Sequence, residues 1–268
     1  MNRRPWALGL VVAFVFVFLY APIVWLALAS FNSSRSLSKI SGLSTQWYAE
    51  LFGDTRVLES LQLTLQLALA SAVISTVIGT LAAFGLRRAF PGRGLWTVLL
   101  SLPLVVPEVV MGVAMLGFFV KLAGIPLGFG ALLFAHVAFS LSFVVVVVRS
   151  RVSGMDVRME EAAADLGASP STAFRTVTLP LVAPAVVAGA AFAFLLSFDD
   201  VVISSYLTGV GSTTLPVFVY AQASKRGISP EIVALSTLMV TATALLLISG
   251  VLIASWRARK AGSTAQLV

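Results

Sequence analysis

The chain has 268 residues, 59% of them hydrophobic and only 11% charged, with a mean hydropathy of +1.00. A soluble core of this length cannot hide that much apolar surface, so the composition excludes an ordinary soluble domain and points to a polytopic membrane protein. The formal net charge of +7 raises nucleic acid as a partner, but the basic residues are spread between apolar stretches in the way membrane topology distributes them.

A spanning helix needs about 20 mostly apolar residues. Six stretches qualify, at about 6–31, 61–86, 95–120, 131–149, 181–207 and 232–256. Barrel strands alternate polar and apolar side chains, whereas Val144 to Val148 is unbroken. The expected fold is therefore all-α, a single transmembrane domain over 1–268 with six transmembrane helices. Arg3 and Arg4 before the first stretch, and Ala27-Leu28-Ala29 after it, imitate a signal peptide. The apolar run is too long for a signal core of about 7–15 residues, so it is expected to remain as a span.

The connections follow in order. The first, about 32–60, is polar at Asn32-Ser33-Ser34-Arg35-Ser36 and then carries Trp47 and Tyr48, which suit a solvated connector with an interfacial aromatic anchor. The next, RRAFPGRG, is a basic turn broken by Pro91 and Gly92. With both termini in the cytoplasm, the inner pieces hold twelve of the basic residues and the outer pieces six, as the positive-inside rule requires. There is no cysteine, which removes disulfides and thiolate metal sites.

The inner connection over about 150–180 has a different character. Asp156 can cap a helix with Glu160 and Glu161 in its first turn. Met155, Met159, Ala162 and Leu166 fall on one helical face. Gly167 suits the left-handed position that ends a helix, and Ser169-Pro170 reads as cap and first residue of a second short helix, closed by Leu179-Pro180. Such a ridge serves either as a docking element or as an amphipathic helix lying on lipid.

Glu161-Ala162-Ala163, then Gly167, then Val177-x-Leu179-Pro180 resembles the EAA loop of permease subunits in bacterial ABC importers, with valine in place of the usual isoleucine. FLYAPI, SFNSS, PLVVPEV, LSFDDVVISSYLTG and TTLPVFVYAQASKRGISPEIVALST extend the likeness over nearly the whole chain, towards the second, shorter permease of putrescine and spermidine transporters. The resemblance implies a type I ABC importer permease fold in the bacterial inner membrane. Its loop would form coupling helices seated on an ATPase subunit, through Glu161, Ala162, Ala163, Gly167, Leu179 and Pro180. The implied partners are two copies of that ATPase, a second permease and a periplasmic substrate-binding protein.

Three carboxylates lie inside the expected spans: Glu108, Asp199 and Asp200. Each costs about 2.5–3.5 kcal/mol near a helix centre, which makes function the default explanation. Pro103 and Pro107 cannot both sit in an undisturbed helix just before Glu108. Counting 1.5 Å per residue puts Glu108 about 20 Å deep and Asp199 about 27 Å from the inner side, close to the outer surface. This layout suits a polyamine, whose ammonium groups need carboxylates and whose stem needs apolar walls, with Phe198, Tyr206 and Tyr220 as candidates. The structural alternatives are a hydrated helix end or partner salt bridge for the Asp pair, an interspan hydrogen bond for Glu108, and ordinary packing for the aromatics. His136, the only histidine, is expected to make an interspan hydrogen bond rather than bind a metal. Ser204, Ser205 and Thr208 are expected to bond backbone carbonyls.

The chain has no G-x-x-x-x-G-K-[ST] segment and no Gly-Lys pair, so it is expected to be a non-catalytic subunit with no cofactor. The leading function is a permease for polyamine uptake. A permease for another small solute, or a self-sufficient secondary transporter or cation channel, is the alternative; the latter would not need the ridge. An intramembrane hydrolase lacks any supporting cluster.

Overall fold

The computed structural model describes residues 5–35, 41–156, 158–226 and 229–265. Within them the regular elements are helical, and the β-type pairing is a single bridge between Asn32 and Leu43. The α-helices are α1 Pro5–Ala29, α2 Gln46–Gly53, α3 Thr55–Gly85, α4 Arg93–Ser101, α5 Glu108–Gly117, α6 Phe129–Ser153, α7 Arg158–Asp165, α8 Pro170–Ala173, α9 Leu179–Phe198, α10 Val202–Leu207, α11 Leu215–Arg226 and α12 Pro230–Ala265. Among the described residues five stretches are long and apolar enough to cross a membrane: Leu8–Ala29, Thr55–Gly85, Phe129–Ser153, Pro170–Phe198 and Pro230–Gly250. The pair Arg93–Leu104 and Glu108–Ala123 qualifies together as a sixth, bent by 106°.

That bend is written in the prolines. Pro103 lies in a 3-10 turn over Leu102–Leu104, and Pro107 stands before α5 with an extended backbone, φ −56° and ψ 136°. A proline donates no hydrogen bond and pushes its predecessor out of helical geometry, so two of them four residues apart divide the 95–120 stretch into α4 and α5. Glu108 is left in the first turn of α5, at the break.

The chain forms two compact units, Met1–Val57 with Val219–Val268, and Leu58–Phe218. In the first unit α12 packs on α1 and α2. The α1 side chains from Leu8 to Leu26 are apolar around the helix and exposed, as a mostly lipid-facing span allows. The connector after α1 is not merely solvated. Trp47 is buried, and its Nε1 donates to the Asn32 carbonyl at 2.6 Å. The Asn32 Oδ1 in turn accepts from the Ser34 and Ser41 amides. Trp47 is thus the centre of a small folded cap rather than an interfacial anchor, because a buried indole N–H must find an acceptor and the folded loop supplies one.

In the second unit α6 runs along α9. Val144, Val148 and Val152 of α6 are buried with Val182 and Ala193 of α9 and Ala72 and Ala83 of α3. Between membrane helices no hydrophobic driving force distinguishes protein from lipid, so close backbone approach over small residues supplies the attraction. Val144 shows this on both sides. A Cβ on Gly79 of α3 would lie 2.7 Å from its Cγ1, and one on Gly189 of α9 would lie 3.3 Å away.

Gly79→Ala therefore overpacks this contact and is expected to destabilise the subunit by about 1–3 kcal/mol. Combining it with Val144→Ala, which removes the obstructing methyls, should recover part of the loss. Thermal unfolding of the detergent-solubilised protein measures both, and an unshifted melting temperature in the single variant would refute the close approach.

Candidate coupling ridge and carboxylate site

The ridge begins where α6 ends. The Asp156 side chain accepts the Arg158 amide at 3.0 Å and opens α7. At its other end the Ala168 amide donates to the Ala163 carbonyl at 3.0 Å and the Gly167 amide to Ala164 at 2.8 Å, the paired bonds of a Schellman stop. Gly167 has φ +86° with open space around it, so its need for glycine is conformational rather than steric. Ser169 caps α8 by accepting the Thr172 amide, and Pro170 follows at the first helical position.

The second helix does not close at Leu179-Pro180. It passes through a π-helical segment, Phe174–Thr178, directly into α9. The Leu179 amide reaches back to the Phe174 carbonyl, and this wider turn accommodates the missing donor of Pro180 without breaking the helix. Leu179 and Pro180 therefore lie in the first turn of α9, while Glu161, Ala162, Ala163 and Gly167 stay on the ridge.

Two neighbouring glutamates point different ways. Glu161 is exposed, as are Met159, Ala162 and Leu166, the last at 89%. Glu160 turns inward. Arg87 Nη1, from the basic turn after α3, lies 2.8 and 3.1 Å from its two carboxylate oxygens, and Thr178 Oγ1 donates to it at 2.7 Å. Phe84 and Phe174 meet edge to face at 5.4 Å below this knot. A cleft of about 670 Å³ opens beside it, with Arg88, Glu161, Ala168 and Pro170 in its wall. Glu160 thus ties the ridge to the body of the unit, a contact that its reading as a first-turn charge did not foresee. Its sequence signal was negative charge in the first turn of a capped helix, and nothing in sequence spacing says that residues 87 and 160 meet.

The carboxylates gather elsewhere in the same unit. α5 packs against α10, and the Tyr206 ring sits where a Cβ on Gly112 would be. Glu108 at the start of α5, and Asp199 and Asp200 just after α9, come within electrostatic reach of one another. Glu108 and Asp199 are exposed. The Asp200 side chain is buried, with its oxygens accepting the Ile203 amide at 3.2 Å and the Ser204 amide at 2.7 Å. Phe198 is buried and stacks on Phe194, which is ordinary packing. Tyr220 belongs to the first unit and is 62% exposed. His136 makes two interspan hydrogen bonds, to Ser197 and Ser204. Ser205 and Thr208 donate to the carbonyls of Val201 and Ser204. Among the described residues no group of three His, Asp or Glu side chains is arranged to hold a metal.

The Arg87 guanidinium and the Thr178 hydroxyl hold the Glu160 carboxyl below its ordinary value of 4.5. A depressed carboxylate stabilises the fold at pH above that ordinary value, and the contribution is lost as pH falls through the depressed one. The ridge should therefore be equally ordered across neutral pH and loosen only in acid below 4.5. Glu160→Ala should loosen it at neutral pH by roughly 1–3 kcal/mol, since Arg87 and Thr178 lose their shared partner, and the difference from wild type should shrink in acid. Amide hydrogen exchange over residues 158–166, corrected for intrinsic rates, reads both effects; unchanged protection in the variant would exclude the tether.

A model of the family described as "Binding-protein-dependent transport system inner membrane component" matches residues 75–261. The putrescine transport system permease protein PotI of Escherichia coli (strain K12) is 40% identical over 247 residues, covering 90% of this chain and 87% of that one. The spermidine/putrescine transport system permease protein PotC of the same strain is 42% identical over 241 residues, covering 90% of each. Among solved structures, a bacterial ABC transporter involved in the import of the acidic polysaccharide alginate superposes with a TM-score of 0.69 at 15% identity, over 94% of this chain and 97% of that one. That likeness concerns the fold, and it agrees with the type I ABC importer permease fold that the resemblance implies. With the family match spanning most of the chain and two full-length relatives agreeing, the chain belongs to the inner membrane components of binding-protein-dependent transport systems.

Proposed function

We propose that this subunit helps to form the membrane path of an ATP-driven importer whose solute is a polyamine, putrescine or spermidine. The observation that carries the substrate class is the placement of Glu108, Asp199 and Asp200 at two helix breaks, within electrostatic range of one another, in a chain so poor in charge. Carboxylates in a span are costly unless something compensates them, and a linear polycation does so at successive ammonium groups. The names of the two relatives support the same class. Tyr206 offers a wall for the methylene stem.

Both termini lie in the cytoplasm on this reading, supported by the excess of basic residues in the connections on that side. The ridge then faces the cytoplasm. Its exposed side, with Glu161, Ala162 and the apolar Met159 and Leu166, receives one of two copies of an ATPase subunit, while Ala163 and Gly167 shape it and Leu179 and Pro180 carry the motion into α9. A second permease completes the path, and a periplasmic binding protein delivers the solute. The subunit itself hydrolyses nothing.

Gly167→Val forces a β-branched residue into left-handed geometry, at a cost of about 1–3 kcal/mol in the ridge. It should leave insertion intact and uncouple ATP hydrolysis from uptake in the complete transporter. Normal substrate-stimulated hydrolysis with normal uptake would defeat the coupling role.

Asp199→Asn and Glu108→Gln test charge without changing size. Each is expected to weaken cation handling by about 1.5–3 kcal/mol, one to two powers of ten. Uptake of labelled putrescine and spermidine into vesicles holding the assembled transporter measures this, with complex formation checked separately. Wild-type kinetics in both variants would remove these carboxylates from the path. Uptake by this chain alone, without ATP, would favour a secondary transporter or channel instead.

A further inference from the structure

Between α9 and α10 the backbone leaves helical hydrogen bonding over residues 199–201. A break of this kind inside a membrane protein needs side chains to take over the freed amides. Asp200 does so for Ile203 and Ser204, one amide donating to each of its oxygens. His136 of α6, 2% exposed, spans the same break from the side. Its Nδ1 lies 2.7 Å from Ser197 Oγ in the last turn of α9, and its Nε2 lies 3.0 Å from Ser204 Oγ in the first turn of α10. Asp200 Oδ2 sits 3.5 Å from the same Nε2, with the Asp200 side chain only 6% exposed. The adjacent Asp199 is exposed.

We propose that the two aspartates divide their roles: Asp199 meets the cation, while His136 and Asp200 form a buried strut that fixes the α9–α10 break and so sets where Asp199 points. The inference rests on Asp199 being a substrate-facing carboxylate. An imidazole suits the strut because it is rigid and presents two hydrogen-bonding atoms on different edges, one for each helix end. The Asp200 carboxylate favours the tautomer with its proton on Nε2, leaving Nδ1 to accept from the Ser197 hydroxyl. The side chain therefore specifies the spacing of Ser197 and Ser204, and with it the short segment that carries Asp199. Asp200, with its side chain only 6% exposed and each oxygen already accepting a backbone amide, is shielded from a mobile cation. His136 is a positioning residue here and touches no substrate.

The experiment uses the complete transporter in vesicles with labelled putrescine. His136→Leu keeps the volume and removes both bonds; His136→Gln retains an amide able to reach Ser204. His136→Leu should lower uptake roughly tenfold, and His136→Gln should restore most of it. In an Asp199→Asn background, His136→Leu should cost less than about twofold more, because the strut then has no charge left to aim. Losses that multiply, or no rescue by glutamine, would overturn the proposal. Should His136→Leu fail to assemble, Ser197→Ala and Ser204→Ala each remove one end of the strut and carry the same double-variant test. Failure of all three to assemble would make the network a folding element and overturn the proposal equally. Wild-type uptake in Asp199→Asn alone would defeat the underlying reading of Asp199, whereas impaired uptake there with normal uptake in the His136 variants would defeat the strut only.

Discussion

Inside a bilayer every backbone N–H and C=O that a helix leaves unpaired costs several kcal/mol, because no water is there to replace the lost partner. Continuous helix is therefore the default, and each interruption has to be satisfied locally. Of the departures from the default within the Leu58–Phe218 unit, three stand out: the Pro103–Pro107 bend, the π turn before Pro180, and the 199–201 break. All three coincide with what makes this subunit more than a bundle. Glu108 stands at the first, the ridge joins a span at the second, and Asp199 and Asp200 occupy the third.

The ridge and the carboxylate site obey one logic although they lie in different parts of the unit. In each, an adjacent pair of acids is split between a held and an offered member. Glu160 is tied to Arg87 and Thr178 while Glu161 is exposed; Asp200 is tied to two amides beside His136 while Asp199 is exposed. In the first turn of α7 consecutive residues differ by about 100° in direction, which lets Glu160 turn inward while Glu161 faces out; at the 199–201 break the non-helical backbone divides the pair instead. The inward acid orders the segment, and the outward acid is free for something else.

Packing constrains the remainder. Val144 sits between glycine notches on α3 and α9, and Tyr206 lies over Gly112. Close approaches of this type make the unit stiff where helices cross, which suits a subunit proposed to be moved as a body through its ridge rather than deformed along it.

Much of this was legible in sequence because the signals are local. Long apolar runs, paired prolines, Gly167 after an amphipathic turn, and Ser169-Pro170 each act within a few residues, so the all-α membrane fold, the bend before Glu108 and the stop-and-restart of the ridge follow from composition and propensity alone. Tertiary structure decided what depends on residues far apart in the chain. It joined Arg87 to Glu160 and His136 to Ser197 and Ser204, buried Trp47 in a folded cap, and carried the second ridge helix through Pro180 into α9. Hydropathy patterns register how deep a residue lies, but not which neighbour it meets or which of two adjacent acids turns inward. Those outcomes arise only when several helices pack together and each buried polar group must find a partner.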